Sequence, residues 1–413
     1  MCATLRTGLS APRILSPKNG VANAAEIPFS AVLLCMGSGI VVNFLFRNFS
    51  LKWTYSRRKT TLLAIIGMLR MMRGESVGNN ILVQSRLMTL SGHRFQKSLN
   101  LTHMKILIYA DLQKQYLEDL IRQLPKDAEI VLKQELSESE LKEALKTTEV
   151  LIGNPAVELI NPVPASIQFW QLENVGFEQY KDLKYSGIAA NVGNMSAAAC
   201  AETIVAGVLG FYRGVHLMVR NQIENKWVGE KLENELSILG EKQVIILGSG
   251  AIAEHVKTML TAFGCRVKMT AKSDPDADIH SFDKLLKQLV YTDLVVNTLP
   301  GNLDKYVSAP FFEAVKQGAL YASIGRGNTT DETALVEALE SGKLCGAVLD
   351  VTEKEPLPEN RKLWKMTNVI LTQHTGAAHS ERDRDKVAKF VENIGQYLKG
   401  VKVKDQITLT DGY

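Results

Sequence analysis

Cysteine is sparse in this chain of 413 residues. Cys2, Cys35, Cys200, Cys265 and Cys345 are scattered and form no Cys-x-x-Cys pair. That argues against a disulfide framework or a zinc site, and for single buried thiols in a reducing compartment; no metal site is expected. Acidic residues are nearly missing from the first 103 positions, where Glu26 and Glu75 face 13 of the 48 Lys and Arg. The remaining 310 residues hold 35 basic against 42 acidic groups. A mildly acidic body of this kind gives nucleic acid no electrostatic footing. Internal repeats and low-complexity tracts are absent too.

The basic first 103 residues read unlike the rest. Residues 29–46 form a stretch of 18 without charge, flanked by Arg47, Lys52 and Arg57-Arg58-Lys59, and a second apolar patch runs over 61–72. Three readings compete: a membrane-spanning or anchoring segment, a transit-type presequence, and a disordered or non-native upstream extension, a misplaced start codon being one origin for it. Gly37, Ser38, Gly39 and Asn43 weaken the span, and Met104 opens a clean strand. The expected location is cytoplasmic, with tethering through residues 29–46 as the alternative and this extension as the one route to a membrane.

From Met104 the chain alternates strand and helix signals, the pattern of a doubly wound α/β fold. Strands are expected at 105–109, 129–132, 150–153, 168–172 and 188–191. A long Ala-rich helix over 196–218 then crosses into a second series at 243–247, 266–270, 293–297, 319–323, 345–350 and 368–372. Six strands with intervening helices are what a full dinucleotide-binding sheet needs.

The second series opens on Val244-Ile245-Ile246-Leu247-Gly248-Ser249-Gly250-Ala251-Ile252-Ala253. Gly248 makes the turn, Gly250 lets the backbone approach a pyrophosphate, and Ala253 keeps the helix close to its strand. The helix start through Ser249, Ala251 and Ile252 offers N–H groups to the phosphates. An acid normally ends the next strand and binds the ribose diol of NAD. Here Ala271 stands at that place, followed by Lys272 and Ser273, which could hold a 2′-phosphate. NADP is therefore favoured over NAD, although Asp274, Asp276 and Asp278 would repel that phosphate if they turned inward.

Three residues at the ends of later strand candidates suit one chemistry. Arg326 in Gly325-Arg326-Gly327 is planar and permanently charged, so it can clamp a carboxylate and polarise the adjacent carbonyl. Glu355, 29 residues on, and His374, another 19 on, form a carboxylate–imidazole pair. A carboxylate beside an imidazole favours its protonated form. The imidazole can then give a proton to a developing alkoxide and take it back in the reverse direction. Glu353 reads as a solvated loop charge, and His379 as a residue of the following helix.

Together with Leu349-Asp350-Val351, Glu355-Pro356-Leu357-Pro358 and Thr330-Asp331-Glu332, these words make the chain resemble the D-isomer-specific 2-hydroxyacid dehydrogenase family over about residues 104–400. The resemblance implies a Rossmann-type nucleotide-binding domain, residues 196–375, inserted into a flavodoxin-like substrate domain, residues 104–195 completed by 376–413. It implies that Arg326 binds substrate, that Glu355 supports His374, and that Asp350 lies by the nicotinamide carboxamide with Pro300 also at the cofactor. The backbone at Val175 and Gly176 would hold the substrate carboxylate opposite Arg326. Departures from the pattern are Gln373 in place of a proline before the histidine, Phe177-Glu178 in place of an x-Asp step, and Leu299-Pro300-Gly301 in place of Pro-Leu-Thr. The function implied is hydride transfer between NAD(P)H and a small 2-oxo or 2-hydroxy acid, in a homodimer. The rival is a non-catalytic dinucleotide-sensing regulatory protein on the same fold.

Overall fold

The computed structural model describes residues 104–412 and, at the level of backbone, three strands before them. The chain divides into two units, Met1–Phe95 and Gln96–Tyr413. In the first, β1 (Ser30–Met36), β2 (Gly39–Phe46) and β3 (Phe49–Ser56) form an antiparallel sheet in that order. The uncharged stretch 29–46, for which a membrane-spanning segment is one of three readings, holds the paired strands β1 and β2. The Gly37-Ser38-Gly39 interruption and the β-branched Ile40-Val41-Val42 favour strands over one continuous helix. The apolar patch 61–72 lies outside the described residues. Among the described residues, no single helix is long and apolar enough to cross a membrane.

The second unit carries two six-stranded sheets. One is built from β4 (Lys105–Ile108), β5 (Glu129–Leu132), β6 (Val150–Ile152), β7 (Phe169–Gln171) and β8 (Ile188–Ala190). The other holds β9 (Gln243–Leu247), β10 (Arg266–Thr270), β11 (Leu294–Asn297), β12 (Ala319–Ser323), β13 (Leu344–Leu349) and β14 (Val369–Leu371), all parallel. Its order is β10-β9-β11-β12-β13-β14. The first sheet runs β15-β8-β7-β6-β4-β5, the flavodoxin-like order, closed by the short antiparallel β15 (Gln406–Ile407) beside β8.

Alternation within each strand explains why helices cover both faces. Val244 and Ile246 point to one core and Ile245 and Leu247 to another, and all four are buried. Ile106 and Ile108 likewise face one side of the first sheet and Leu107 the other. A strand apolar on both sides must be sandwiched, because burying its apolar area on each face drives the packing. The C-terminal helix Arg382–Leu398 returns to the first sheet. Its Val387, Phe390, Ile394 and Tyr397 join the core around Ile106 and Phe169.

The long crossing helix expected over 196–218 is two helices. Ala197–Tyr212 and Val215–Ile223 meet at 72° across Gly214, whose φ of +64° lies in the left-handed region that glycine tolerates.

Candidate active site

In a parallel sheet of this kind, ligands lie beyond the carboxyl ends of the strands, where the order reverses. Here β10 and β11 flank β9, so the crevice opens beyond Leu247. Gly248 takes φ +108°, and a Cβ there would sit 2.7 Å from Thr298 Oγ1. Gly250 precedes the helix Ala251–Ala262, caps it with no side chain, and has open space where a Cβ would be. First-turn N–H groups of a twelve-residue helix thus face a cradle that any larger residue would fill. These residues fit a dinucleotide pyrophosphate. Ile252 packs against the core behind the turn.

Beyond β10, Ala271 is followed by the exposed Lys272 and Ser273. Asp274 turns back toward the glycine loop. A hydrogen bond from the Ser249 side chain, reinforced by the Asp276 backbone N–H and by the charges of His280 and Lys257, holds its carboxyl below the usual range.

Arg326 follows β12, Glu355 follows β13 and His374 follows β14, so the three leave the same edge of one sheet. His374 Nδ1 lies 2.6 Å from Glu355 Oε2, while Glu355 Oε1 accepts the Thr352 backbone N–H at 3.0 Å. An ionised carboxylate only accepts, so Nδ1 carries the proton and Nε2 is the nitrogen left for exchange. The loop bearing His374 is pinned by Asp350, which is buried to 4% exposure. Its carboxylate accepts from Thr372 Oγ1 at 2.6 Å and from the Thr375 and Gly376 N–H groups at 3.1 Å each. Asp350 is therefore the anchor of the histidine loop, a contact that its expected place at the carboxamide did not include. Gln373 has φ +54°, a conformation closed to proline, whose ring holds φ near −65°. This accounts for the departure at that position.

Arg326 is held by groups that sequence reasoning missed. Thr329 Oγ1 donates to the Arg326 carbonyl at 2.6 Å, and the buried Asn297 Nδ2 donates to Thr329 Oγ1 at 2.8 Å and to the Tyr321 hydroxyl at 2.9 Å. The first sheet meets Arg326 from across the cleft. Asn191 Nδ2 fixes the Val175 carbonyl at 2.9 Å, and a Cβ on Gly176 would collide with Arg326 Nη2. Glu178 Oε1 accepts from Arg326 Nε at 2.9 Å. A Cβ on Gly327 would strike the Thr352 carbonyl, so the arginine loop also touches the segment leading to Glu355. Cys200 lies in the same neighbourhood. Burial pushes its thiol up to about 11, the charge of Asp350 adds to this, and Arg326 and Arg382 oppose it. Pro300 sits on the loop after β11, between Leu299, whose N–H is held by Asn297 Oδ1 at 3.0 Å, and Gly301. Among the described residues, no His, Cys, Asp and Glu cluster could hold a metal ion.

Comparison with known proteins bears on the family and the fold. A profile of the D-isomer specific 2-hydroxyacid dehydrogenase NAD binding domain matches residues 205–376. A hydroxypyruvate reductase of Thermotoga maritima is 30% identical over 234 residues, spanning 55% of this chain and 74% of that protein. A D-specific alpha-keto acid dehydrogenase of Enterococcus faecium is 28% identical over 286 residues, spanning 64% of this chain and 87% of the relative. Among solved structures, a D-isomer specific 2-hydroxyacid dehydrogenase family protein from Aeromonas salmonicida superposes with a TM-score of 0.66 at 24% identity. It covers 74% of this chain and 99% of its own.

Proposed function

Because the chain belongs to the D-isomer-specific 2-hydroxyacid dehydrogenase family, a family of NAD(P)-dependent oxidoreductases, we propose that it reduces a short 2-oxo acid to the 2-hydroxy acid. The reading rests above all on His374 and Glu355 at 2.6 Å, at the same sheet edge as the glycine turn. In this reading the domain around β4 binds substrate and residues 196–375 bind the dinucleotide. The guanidinium of Arg326 and the backbone at Val175 and Gly176 hold the substrate carboxylate, and Arg326 draws electron density toward the carbonyl oxygen. Bound NAD(P)H supplies the hydride to the carbonyl carbon. As negative charge grows on the oxygen, His374 Nε2 gives it a proton, and Glu355 stabilises the imidazolium on the other side. Oxidation runs the same steps backwards. The pair of domains meeting across Arg326 would exclude water from this exchange.

Gly248, Ser249, Gly250, Ala251 and Ile252 would cradle the pyrophosphate, with Pro300 and Asp350 toward the nicotinamide end. Lys272 and Ser273 favour NADPH over NADH, and Asp274 tempers that preference by its charge. The molecule would be a homodimer through the helix Val215–Ile223 and the segment after it, where Ile223 is 77% and Trp227 98% exposed. Exposed apolar side chains gathered in this way mark a surface of association. A screen of short 2-oxo acids against NADPH and NADH, followed by cofactor absorbance, tests the reaction. Loss of absorbance with at least one acid is expected; none with any acid would overturn it.

A further inference from the structure

Glu178 is drawn to the centre of the site by a contact 148 residues long in sequence. Its Oε1 takes the Arg326 Nε–H at 2.9 Å, with the two side chains 40% and 28% exposed. Its Oε2 would lie 2.8 Å from a Cβ on Gly176, beside the position at which that Cβ would collide with Arg326 Nη2. A Cβ on Gly301 would touch Glu178 Oε1 and the Arg326 stem, each at 3.4 Å. Arg326 Nη1 meanwhile donates to the Gly325 carbonyl at 3.0 Å. The guanidinium that is to receive the substrate carboxylate therefore already shares its charge with a fixed carboxylate on the opposite domain.

We propose that Glu178 is a specificity-determining residue that acts as a charge filter, admitting monoanionic 2-oxo acids and rejecting those with a second negative group. The inference rests on the proposed seating of substrate at Arg326 and Gly176. One guanidinium offset by Glu178 can neutralise little more than the single carboxylate it grips. A second anion on the ligand meets Glu178 in a partly desolvated cleft, where like charges repel more strongly than in water. Specificity then arises from a repulsive element, not from an added contact.

Oxamate and oxalate test the filter without turnover, since neither is reduced and they carry one and two charges. Their dissociation constants are to be measured by calorimetry on the full chain with NADPH bound. The wild type should bind oxamate about tenfold or more tightly than oxalate. Glu178→Gln keeps the shape and an acceptor for Arg326 Nε, and should bring the two ligands within about threefold; Glu178→Asp, which withdraws the charge by one methylene, should fall between. An unchanged oxamate-to-oxalate ratio in Glu178→Gln would overturn the filter and leave Glu178 a domain latch only. A wild type that binds both ligands alike, or neither, would overturn it as well. Oxamate binding with the expected ratios but no reduction of any short 2-oxo acid would instead count against the proposed reaction alone.

Discussion

At the scale of single residues, His374 is useful because two neighbours fix it. Its backbone N–H donates to the Asp350 carbonyl at 2.6 Å, and its ring gives Nδ1–H to Glu355. His374→Asn keeps a polar group but no titratable one, and should lower kcat by on the order of 10²–10⁴ with little change in cofactor affinity. Glu355→Gln should cause a smaller loss, because the imidazole remains but its protonated form loses its counter-charge. Steady-state reduction kinetics on both variants check the pair. The cofactor end carries a second residue-scale expectation. Lys272→Ala should raise the KM for NADPH by about tenfold, one charge-assisted hydrogen bond being worth about 1.5 kcal/mol. Asp274→Asn should lower it, since the amide can still accept from Ser249 without repelling a 2′-phosphate. Kinetics with NADPH and NADH side by side measure both, and an Asp274→Asn variant with an unchanged ratio would remove that carboxylate from cofactor selection. The strand-end positions of Arg326, Glu355 and His374 were legible because each follows a strand in a recognisable word. Glu178 was not, because its partner is set by the closing of two domains and no local pattern encodes that.

At the scale of elements, the second strand series was readable almost to the residue. Strands sandwiched between helix layers must be apolar on both faces, and that leaves unbroken runs such as Val244–Leu247. The crossing helix was read too long, because helical spacing continues through Gly214 while the backbone does not. The edge strand β15 escaped because two residues of antiparallel pairing leave no alternation to find. Helix Ala197–Tyr212 also shows why its composition is small. A Cβ on Gly207 would lie 2.5 Å from Val348 Cγ1 of β13. Gly207→Ala should cost about 1–3 kcal/mol by overpacking, despite the better helix propensity of alanine, read as a lower midpoint in urea unfolding. Asp293 joins elements in another way, accepting from the Gln243 N–H at 2.8 Å and from Lys316 Nζ at 2.6 Å. Burial alone would raise its carboxyl, but the Lys316 hydrogen bond, the Gln243 N–H and the nearby lysine charges outweigh it and hold it below the usual range. A carboxylate depressed in the folded state stabilises fully above its ordinary value near 4 and loses that contribution as pH falls through the folded value. Asp293→Asn should therefore be less stable than wild type at neutral pH, with the difference shrinking below about pH 4. Unfolding midpoints across that range decide it, and a difference independent of pH would assign the loss to packing.

At the scale of the whole molecule, the two sheets bury their apolar faces in four separate cores, yet the segment after the bend at Gly214 keeps its apolar side chains outside them. Val215, Met218, Val219 and Ile223 lie on one short helix, with Trp227 and Ile238 following it, all well exposed. Helix residues three and four apart share a face, so 215, 218, 219 and 223 form one stripe. A stripe of this kind left in water costs free energy that a second copy would recover by covering it, as the hydrophobic effect requires. The bend itself aims the stripe away from the core that the first helix packs against, so Gly214 and the exposed face belong to one design. Ile223→Asp places a charge in the middle of that surface and has no core contact to lose. It should convert a dimer into a monomer in sedimentation equilibrium at micromolar concentration, while thermal unfolding of each subunit's core stays close to that of the wild type. A wild-type protein that already sediments as a monomer, or a variant that still sediments as a dimer, would detach the stripe from self-association and require another reason for its exposure.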